Sequence, residues 1–312
     1  MYLNSCCPRN ASLPKGWSLG AAHLRLRPVK RRALLTLPLA ALVGLEPPCA
    51  AAAQTHSPAA AADAIPVERF RFHAGAALLA PAGAGSDGSV CVGTADGYVH
   101  ALGSDGAFRW SHSVRGAVTR RPILARQLWL IATSAERIYA LTPEGTLYWV
   151  FKPPSPVASE LAADATDLTY FIGADRFLYG VSARGGVALR AAFGALKAGP
   201  STRSDGAVWA KNQAGSVLRV RGQELRRMAP EATPEFDFGP PDTVVDPDGH
   251  EWRTRSDGVL EFRRAPSLAP HLLELTRAPL LAPSWSPAHY ALISARDGLV
   301  VALAPTSNPQ GP

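Results

Sequence analysis

The stretch Val90–Trp110 reads VCVGTADGYVHALGSDGAFRW, and the rest of the chain repeats it. It begins with apolar residues, turns at Ala95-Asp96-Gly97, and returns through Tyr98–Leu102. A second turn at Ser104-Asp105-Gly106 leads into a segment that ends at Trp110. Asp-Gly supplies the positive φ that tight hairpin turns require. The unit is therefore predicted to be a meander of three short strands.

Copies of this unit recur about every forty residues, which is the period of a β-propeller blade with about four strands. They align on the residue pair that closes the second strand: Ala101-Leu102, Ala140-Leu141, Gly180-Val181, Arg219-Val220, Glu261-Phe262 and Ala302-Leu303. Helical periodicity is absent along the same region. The sequence therefore predicts an all-β fold, a six-bladed β-propeller of four-stranded blades.

The sixth copy runs through Leu303 and stops before its outer strand. The segment Val67–Phe72 can supply that strand, with Arg69–Phe72 aligned to Ala107–Trp110 and Phe72 at the position of Trp110. We therefore expect the N-terminal strand to pair with the last hairpin. This pairing would close the ring and remove two exposed sheet edges.

The repeat resembles that of the pyrroloquinoline-quinone-like β-propellers: a strand with Gly-Thr-x-Asp-Gly, a strand ending Ala-Leu, then Asp-Gly-x-x-x-Trp. The resemblance covers about Val67 to Leu303, and Gly145–Trp149 repeats Gly106–Trp110. Later copies depart from it, because Arg190 and Arg226 stand where the Trp is expected. The family includes quinoprotein alcohol dehydrogenases and outer-membrane assembly lipoproteins, so it implies a fold more than an activity.

The basic charge of the chain is concentrated at its N-terminus. The formal net charge is +7, and residues 1–53 hold seven of the 32 Lys and Arg residues but one acid, Glu46. The remainder holds 25 basic and 24 acidic residues. Without a basic face, the phosphate interaction that drives nucleic-acid binding has no source, so no nucleic-acid partner is expected.

A secretory signal peptide is predicted in this N-terminal part. Lys30-Arg31-Arg32 precedes the apolar run ALLTLPLAALVGL, and the small residues Ala50–Ala53 follow it. The run is too short for a permanent transmembrane segment. We expect a periplasmic or secreted protein, with Sec and twin-arginine export both open and a true start near Val29 as one explanation of the long leader.

The predicted domains follow from these segments: leader and signal peptide at 1–53, a flexible Ala/Pro tether at 54–66, the propeller at 67–304 and a loose tail at 305–312. A lipid anchor at Cys49 is the weaker alternative, because Glu46-Pro47-Pro48 is a poor lipobox. Cleavage near Ala53 would leave Cys91 as the one cysteine, which predicts a small buried apolar residue.

No catalytic, cofactor-binding or metal-binding set is predicted. The acidic segment Glu231–Glu251 does not have the spacing of a calcium loop and is interpreted as a solvated connection. No two histidines stand at a zinc-site spacing. The quinoprotein enzymes that the chain resembles use an adjacent-cysteine disulfide, Ca²⁺ and a stacking Trp on eight blades. Here the adjacent cysteines are Cys6 and Cys7, upstream of the export signal.

The axial channel is the one place where a small ligand is considered. Inner strands line the axis of a propeller, so Thr119-Arg120-Arg121 and Ser201-Thr202-Arg203 are expected near it. Arg120, Arg121 and Arg203 could hold an anionic ligand there, or they could be salt-bridged rim residues. The identity of any such ligand stays open.

These observations favour an exported, non-catalytic propeller that acts as a protein-binding or assembly scaffold in the bacterial cell envelope, without a cofactor. Its expected partner is another envelope protein. The alternative is an enzyme dependent on a quinone or a metal, of the pyrroloquinoline-quinone dehydrogenase type, acting at the axial channel.

Overall fold

A computed structural model describes residues 65–228 and 241–305 of the 312-residue chain. The predicted leader and signal peptide, most of the tether, the tail and residues 229–240 of the acidic connection lie outside the described residues. All named elements of the described part are strands, and they form six four-stranded antiparallel sheets. No described helix is long and apolar enough to cross a bilayer.

Each sheet is one blade, with strands in chain order from the innermost to the outermost. Blades 1 to 3 contain β2 (Gly83–Ala84), β3 (Val90–Gly93), β4 (Tyr98–Leu102), β5 (Phe108–Ser113); β6 (Ile123–Ala125), β7 (Leu128–Thr133), β8 (Arg137–Leu141), β9 (Leu147–Phe151); and β10 (Ala162–Ala163), β11 (Thr169–Ile172), β12 (Phe177–Val181), β13 (Val187–Ala192).

Blades 4 and 5 repeat this order, and blade 6 takes its outer strand from the start of the described chain. Their strands are β14 (Leu196–Thr202), β15 (Val208–Asn212), β16 (Val217–Arg221), β17 (Glu224–Met228); β18 (Thr243–Val245), β19 (Glu251–Thr254), β20 (Val259–Arg263), β21 (His271–Glu274); and β22 (Ser284–Ser286), β23 (Tyr290–Ser294), β24 (Leu299–Ala304), β1 (Val67–His73).

The N-terminal strand pairs with the last hairpin, which confirms the prediction. β1 runs antiparallel to β24, with Val67 opposite Ala304 and His73 opposite Leu299. Innermost strands of neighbouring blades contact one another at β22 and β2, β2 and β6, β6 and β10, β10 and β14, and β18 and β22. The predicted all-β, six-bladed architecture is therefore confirmed.

The hydrophobic core lies between blades. Middle strands carry apolar side chains on both faces, as in β3, β7, β11 and β23, where almost every residue is buried. Five buried clusters join blades 6 and 1, 1 and 2, 2 and 3, 3 and 4, and 5 and 6. Each blade is thus stabilised by its neighbours, because one sheet alone cannot bury both of its apolar faces.

Aromatic side chains of the outer strands dock onto turn glycines of the next blade. The Trp110 indole N–H donates to Pro143 O at 2.6 Å, and Trp149 does the same to Ala183 O at 2.8 Å. A Cβ added to Gly145 would lie 2.6 Å from the Trp110 ring. Glycine is needed there both for its positive φ of 84° and for this close approach.

The docking residue of blade 6 is Phe70, so the prediction of Phe72 is wrong. Phe70 lies opposite Ala302, as Trp110 lies opposite Ala101, and a Cβ on Gly106 would lie 2.3 Å from the Phe70 ring. The same one-residue register shift precedes the docking residue in both blades, between Glu68 and Phe70 in blade 6 and between Phe108 and Trp110 in blade 1.

Blades 3, 4 and 5 lack the aromatic docking residue, with Leu272 at the Trp position of blade 5, and the prediction for blade 3 needs a correction. Leu189, rather than Arg190, lies opposite Gly180 at the Trp position of blade 3. The Arg190 guanidinium instead packs 4.1 Å from the centre of the Phe177 ring. Arg226 does occupy the Trp position of blade 4, opposite Arg219.

Candidate functional site: the axial cavity and the outer strand edges

An axial cavity of about 630 Å³ lies where the inner strands of the blades converge. The described residues that line it come from the starts of all six blades, and blades 2, 3 and 4 supply Arg121, Glu160, Leu161, Pro200, Ser201 and Thr202. A second cavity of about 320 Å³ is lined by the inner strands of blades 1, 2, 5 and 6. Among the described residues, Arg121 is the one charged side chain that lines both cavities.

The position of Arg121 is set by its neighbours in two other blades. Its backbone N–H donates to Glu160 Oε2 at 3.0 Å, and one guanidinium nitrogen donates to Pro283 O at 3.2 Å. Its Nε is enclosed and has no hydrogen-bond partner among the described residues. Burial lowers the pKa of Arg121, and the nearby Glu160 carboxylate opposes that shift. The guanidinium stays protonated, since an ordinary arginine pKa lies far above neutrality.

Arg121 and Glu160 occupy equivalent positions in successive blades. Arg121 lies two residues before Ile123, and Glu160 two residues before Ala162, which begin the inner strands of blades 2 and 3. A cation and a carboxylate therefore stand side by side at the axis. Sequence reasoning missed Glu160, although its place one repeat after Arg121 is a signal that could have revealed it.

The structure places the other two predicted arginines differently. Arg120 donates to Thr119 O and Val157 O, both at 3.1 Å, so its guanidinium links the starts of blades 2 and 3. Arg203 follows β14 in a turn, where its N–H donates to Ala207 O. Of the three predicted arginines, Arg121 alone lines these two cavities. Anion binding by Arg120, Arg121 and Arg203 stays a prediction.

A cluster of Asp246, Asp248 and His250 lies in the turn between β18 and β19, with one potential ligand atom from each within 4.8 Å of the others. Asp246 is already satisfied by the fold. It accepts hydrogen bonds from the backbone N–H groups of Asp248 and His250 and from the Trp252 indole, and it contacts His250 Nδ1 at 2.8 Å. The arrangement is a hydrogen-bonded turn in which Asp246 is buried and Asp248 is exposed, so this end of the acidic segment is only partly the solvated connection that the sequence predicts.

Like Asp246, Asp164 accepts several hydrogen bonds in a turn, here the turn after the inner strand of blade 3. Its carboxylate accepts hydrogen bonds from Tyr170 Oη, from Thr166 and from the backbone N–H of Gly222 in blade 4. Burial alone would raise the pKa of Asp164, but these hydrogen bonds outweigh it and lower the pKa below its ordinary value. The contact joins blades 3 and 4, where aromatic docking is absent.

Exposed apolar side chains are concentrated on the outer strands. They include Val67 on β1, Phe108 on β5, Val187 on β13 and Leu272 on β21. β9 has the densest set, because Leu147, Tyr148 and Val150 are 44%, 60% and 38% exposed. Each outer strand pairs with one neighbour among the described strands, so its second edge keeps unpaired backbone groups. Sequence reasoning did not single out this surface.

The repeat, the blade topology and the docking of Trp onto turn glycines define a β-propeller of the pyrroloquinoline-quinone-like class. Residues 55–225 match the model of the family described as outer membrane protein assembly factor BamB, and the chain belongs to that family. The crystal structure of BamB from Moraxella catarrhalis is similar at 14% identity and a TM-score of 0.49, covering 75% of this chain and 87% of that chain. No curated protein matches the sequence.

Proposed function

We propose that this protein is an exported, non-catalytic propeller that binds other proteins as a scaffold in the bacterial cell envelope. Its family is named for outer membrane protein assembly, which supports a role in that class of process. The predicted signal peptide supports export to the periplasm, where an envelope protein would be the partner.

The exposed edge of β9 is the observation that carries this proposal. Tyr148 is 60% exposed and Val150 38% exposed on a strand with one paired neighbour. An exposed apolar strand edge favours self-association, so proteins usually protect it with charges or proline. An edge left apolar instead offers main-chain hydrogen bonds and side-chain contacts to an added strand of a partner.

The experiment compares two lysine substitutions at equally exposed apolar residues. Tyr148→Lys places a charge on β9, and Leu272→Lys places the same charge on β21, where the original residue is 59% exposed. Each variant is cross-linked in envelope extract, and the affinity for the captured protein is then measured. We expect Tyr148→Lys to raise the Kd for the captured protein by roughly thirtyfold, which is the effect of losing one anchor residue of an interface.

Leu272→Lys should bind like the unmodified protein. Equal loss in the two variants would show that added charge, not the β9 edge, affects binding. Failure to capture any envelope protein specifically would contradict the scaffold function. Turnover of a substrate by the purified protein would favour the enzyme alternative instead.

A further inference from the structure

We propose that the axial cavity binds the carboxylate of a small aliphatic amino acid or peptide end, with Arg121 as the anion-binding side chain and Ser201 as a second donor. This site is separate from the β9 edge and does not depend on the scaffold function.

Arg121 and Ser201 share a feature that points to a ligand. Both line the 630 Å³ cavity, one from the start of blade 2 and the other from β14 of blade 4. In each side chain a polar atom, Arg121 Nε or Ser201 Oγ, is enclosed without a hydrogen-bond partner in the part of the chain that the structure describes. Unpaired buried donors are costly in folded proteins. Arg120 Nε and Arg263 Nε are in the same state but line neither cavity, so the unpaired atoms of Arg121 and Ser201 point to a ligand only together with their place in the cavity lining.

Arg121 is also held in place before any ligand enters. Its guanidinium is tied to Pro283 O in blade 6, and its backbone is tied to the Glu160 carboxylate in blade 3. A fixed side chain loses little conformational freedom on binding, which favours affinity. Guanidinium groups suit carboxylates because their planar N–H donors match the two oxygens.

Glu160 narrows the class of ligand. It is exposed and lies beside Arg121 at the equivalent position of the next blade. Its negative charge disfavours anions with two or more charges, since like charges repel in a partly buried site. A zwitterion avoids this repulsion, because its ammonium group can face Glu160 while its carboxylate faces Arg121.

The remaining lining gives the ligand its apolar part. Ile123, Leu161 and Pro200 border the same cavity, and they suit a short aliphatic side chain. The volume lies within the range of about 300–1,000 Å³ that small-molecule sites occupy. Leucine is therefore a suitable probe of the site.

The first test compares leucine, N-acetylleucine and leucinamide by calorimetric titration of the purified protein. Leucine and N-acetylleucine keep the carboxylate, whereas leucinamide has lost it. We expect saturable binding of leucine and weaker saturable binding of N-acetylleucine, which lacks the ammonium group that faces Glu160. Leucinamide should bind at least about tenfold more weakly than leucine, because a charge-assisted hydrogen bond is lost. Equal binding of leucinamide, or no saturable binding of any probe, would overturn the proposal.

Trileucine and its C-terminal amide separate the two sources of the carboxylate. Binding of trileucine, but not of its amide, would assign the site to a peptide end. Binding of leucine without trileucine would assign it to a free amino acid. Both outcomes support a carboxylate site, and equal binding of trileucine and its amide would contradict it.

The second test uses Arg121→Gln, with Arg115→Gln as its control, since Arg115 is exposed in the segment before the same inner strand. We expect Arg121→Gln to weaken leucine binding by at least about tenfold and Arg115→Gln to leave it unchanged.

Arg121→Gln also removes the hydrogen bond to Pro283 O, which can impair folding, so Ser201→Ala provides a second variant that keeps this bond. Ser201→Ala should weaken binding several-fold; unchanged binding in both cavity variants would overturn the assignment.

Discussion

At the scale of single residues, Gly145 shows how one missing side chain allows two blades to dock. The Trp110 ring lies so close to Gly145 that a Cβ added at residue 145 would be 2.6 Å from the nearest ring atom. Gly249 has the same φ of 84°, but nothing lies within 4 Å of its Cβ position. Substitution of either glycine therefore strains the backbone to the same extent. Only at Gly145 would the new side chain also collide with an aromatic ring.

We expect Gly145→Ala to lower the free energy of unfolding by about 1–3 kcal/mol more than Gly249→Ala, because an added methyl group overpacks the Trp110 contact. Gly249→Ala should itself cost about 1 kcal/mol for a non-glycine residue at positive φ. Urea unfolding of both variants measures the difference. Equal losses would show that Trp110 moves aside without cost.

Asp164 is the second residue whose role can be tested, because its carboxylate joins blades 3 and 4 through Gly222. Asp164→Asn replaces one acceptor oxygen with a donor, which opposes the Gly222, Thr166 and Tyr170 donors. We expect a loss of about 1–3 kcal/mol in the free energy of unfolding at neutral pH. Asp248→Asn is the control, since Asp248 is exposed in the corresponding turn of blade 5.

The pH dependence of stability gives an independent check on Asp164. The pKa of Asp164 is lowered in the folded state, so its stabilising effect is complete above the unfolded value of about 3.9. This stabilisation is lost as the pH falls through the lower folded pKa. Stability of the unmodified protein should therefore fall more steeply with acid than that of Asp164→Asn. Parallel curves would contradict this role.

At the scale of elements, β1 is the strand on which blade 6 depends. It pairs along β24, and the Phe70 ring lies 5.7 Å from the Tyr290 ring and against Gly106 of blade 1. Without β1, the edge of β24 is left unpaired, although all of its residues except the last are buried. An exposed edge of this kind promotes aggregation.

We expect deletion of residues 54–74 to lower the free energy of unfolding by several kcal/mol and to cause aggregation, because about four apolar side chains lose their contacts. Deletion of 54–64, which leaves β1 intact, is the control and should have little effect. Thermal unfolding and light scattering measure both outcomes. An unchanged Tm after the longer deletion would refute the role assigned to β1.

At the scale of the whole molecule, the axial cavity limits the chemistry that the protein can support. Pyrroloquinoline quinone chemistry requires a stacking platform and a hard cation that polarises the quinone carbonyls. The charged groups lining the larger cavity are Arg121 and Glu160, and a single carboxylate beside a guanidinium is a poor calcium site.

We therefore expect neither saturable binding of pyrroloquinoline quinone in the presence of Ca²⁺ nor dye reduction with any alcohol. Fluorescence titration and a steady-state dye assay measure these two properties, with a quinoprotein dehydrogenase as the positive control. Micromolar quinone binding, or calcium-dependent dye reduction, would replace the scaffold function with the enzyme alternative.

Much of the fold could be predicted from the sequence because blades are local structures. Strand alternation and Asp-Gly turns act over a few residues, so the period of the copies and the turn positions determined the number of blades. The pairing of Val67–His73 with the last hairpin was also predictable, since the sixth copy lacks its outer strand. The family followed from the same repeat, which matches over residues 55–225.

The docking residue of blade 6 required the tertiary structure, whereas that of blade 3 can be located from its turn glycine. Phe70 rather than Phe72 docks on blade 1, because the pairing of β1 with β24 sets Phe70 opposite Ala302, two residues earlier than the alignment of the copies predicts. In blade 3, Leu189 stands four residues after Gly185, as Trp110 does after Gly106, so the turn glycine locates the docking position correctly.

The sequence by itself determined the blades, their order and the arginines that precede the inner strand of blade 2. Only the packing of the blades decided that Arg121 would meet Glu160, while Arg120 turns toward Val157. The physical reason is distance along the chain. These residues lie about forty positions apart, and their approach depends on how six twisted sheets pack around a common axis.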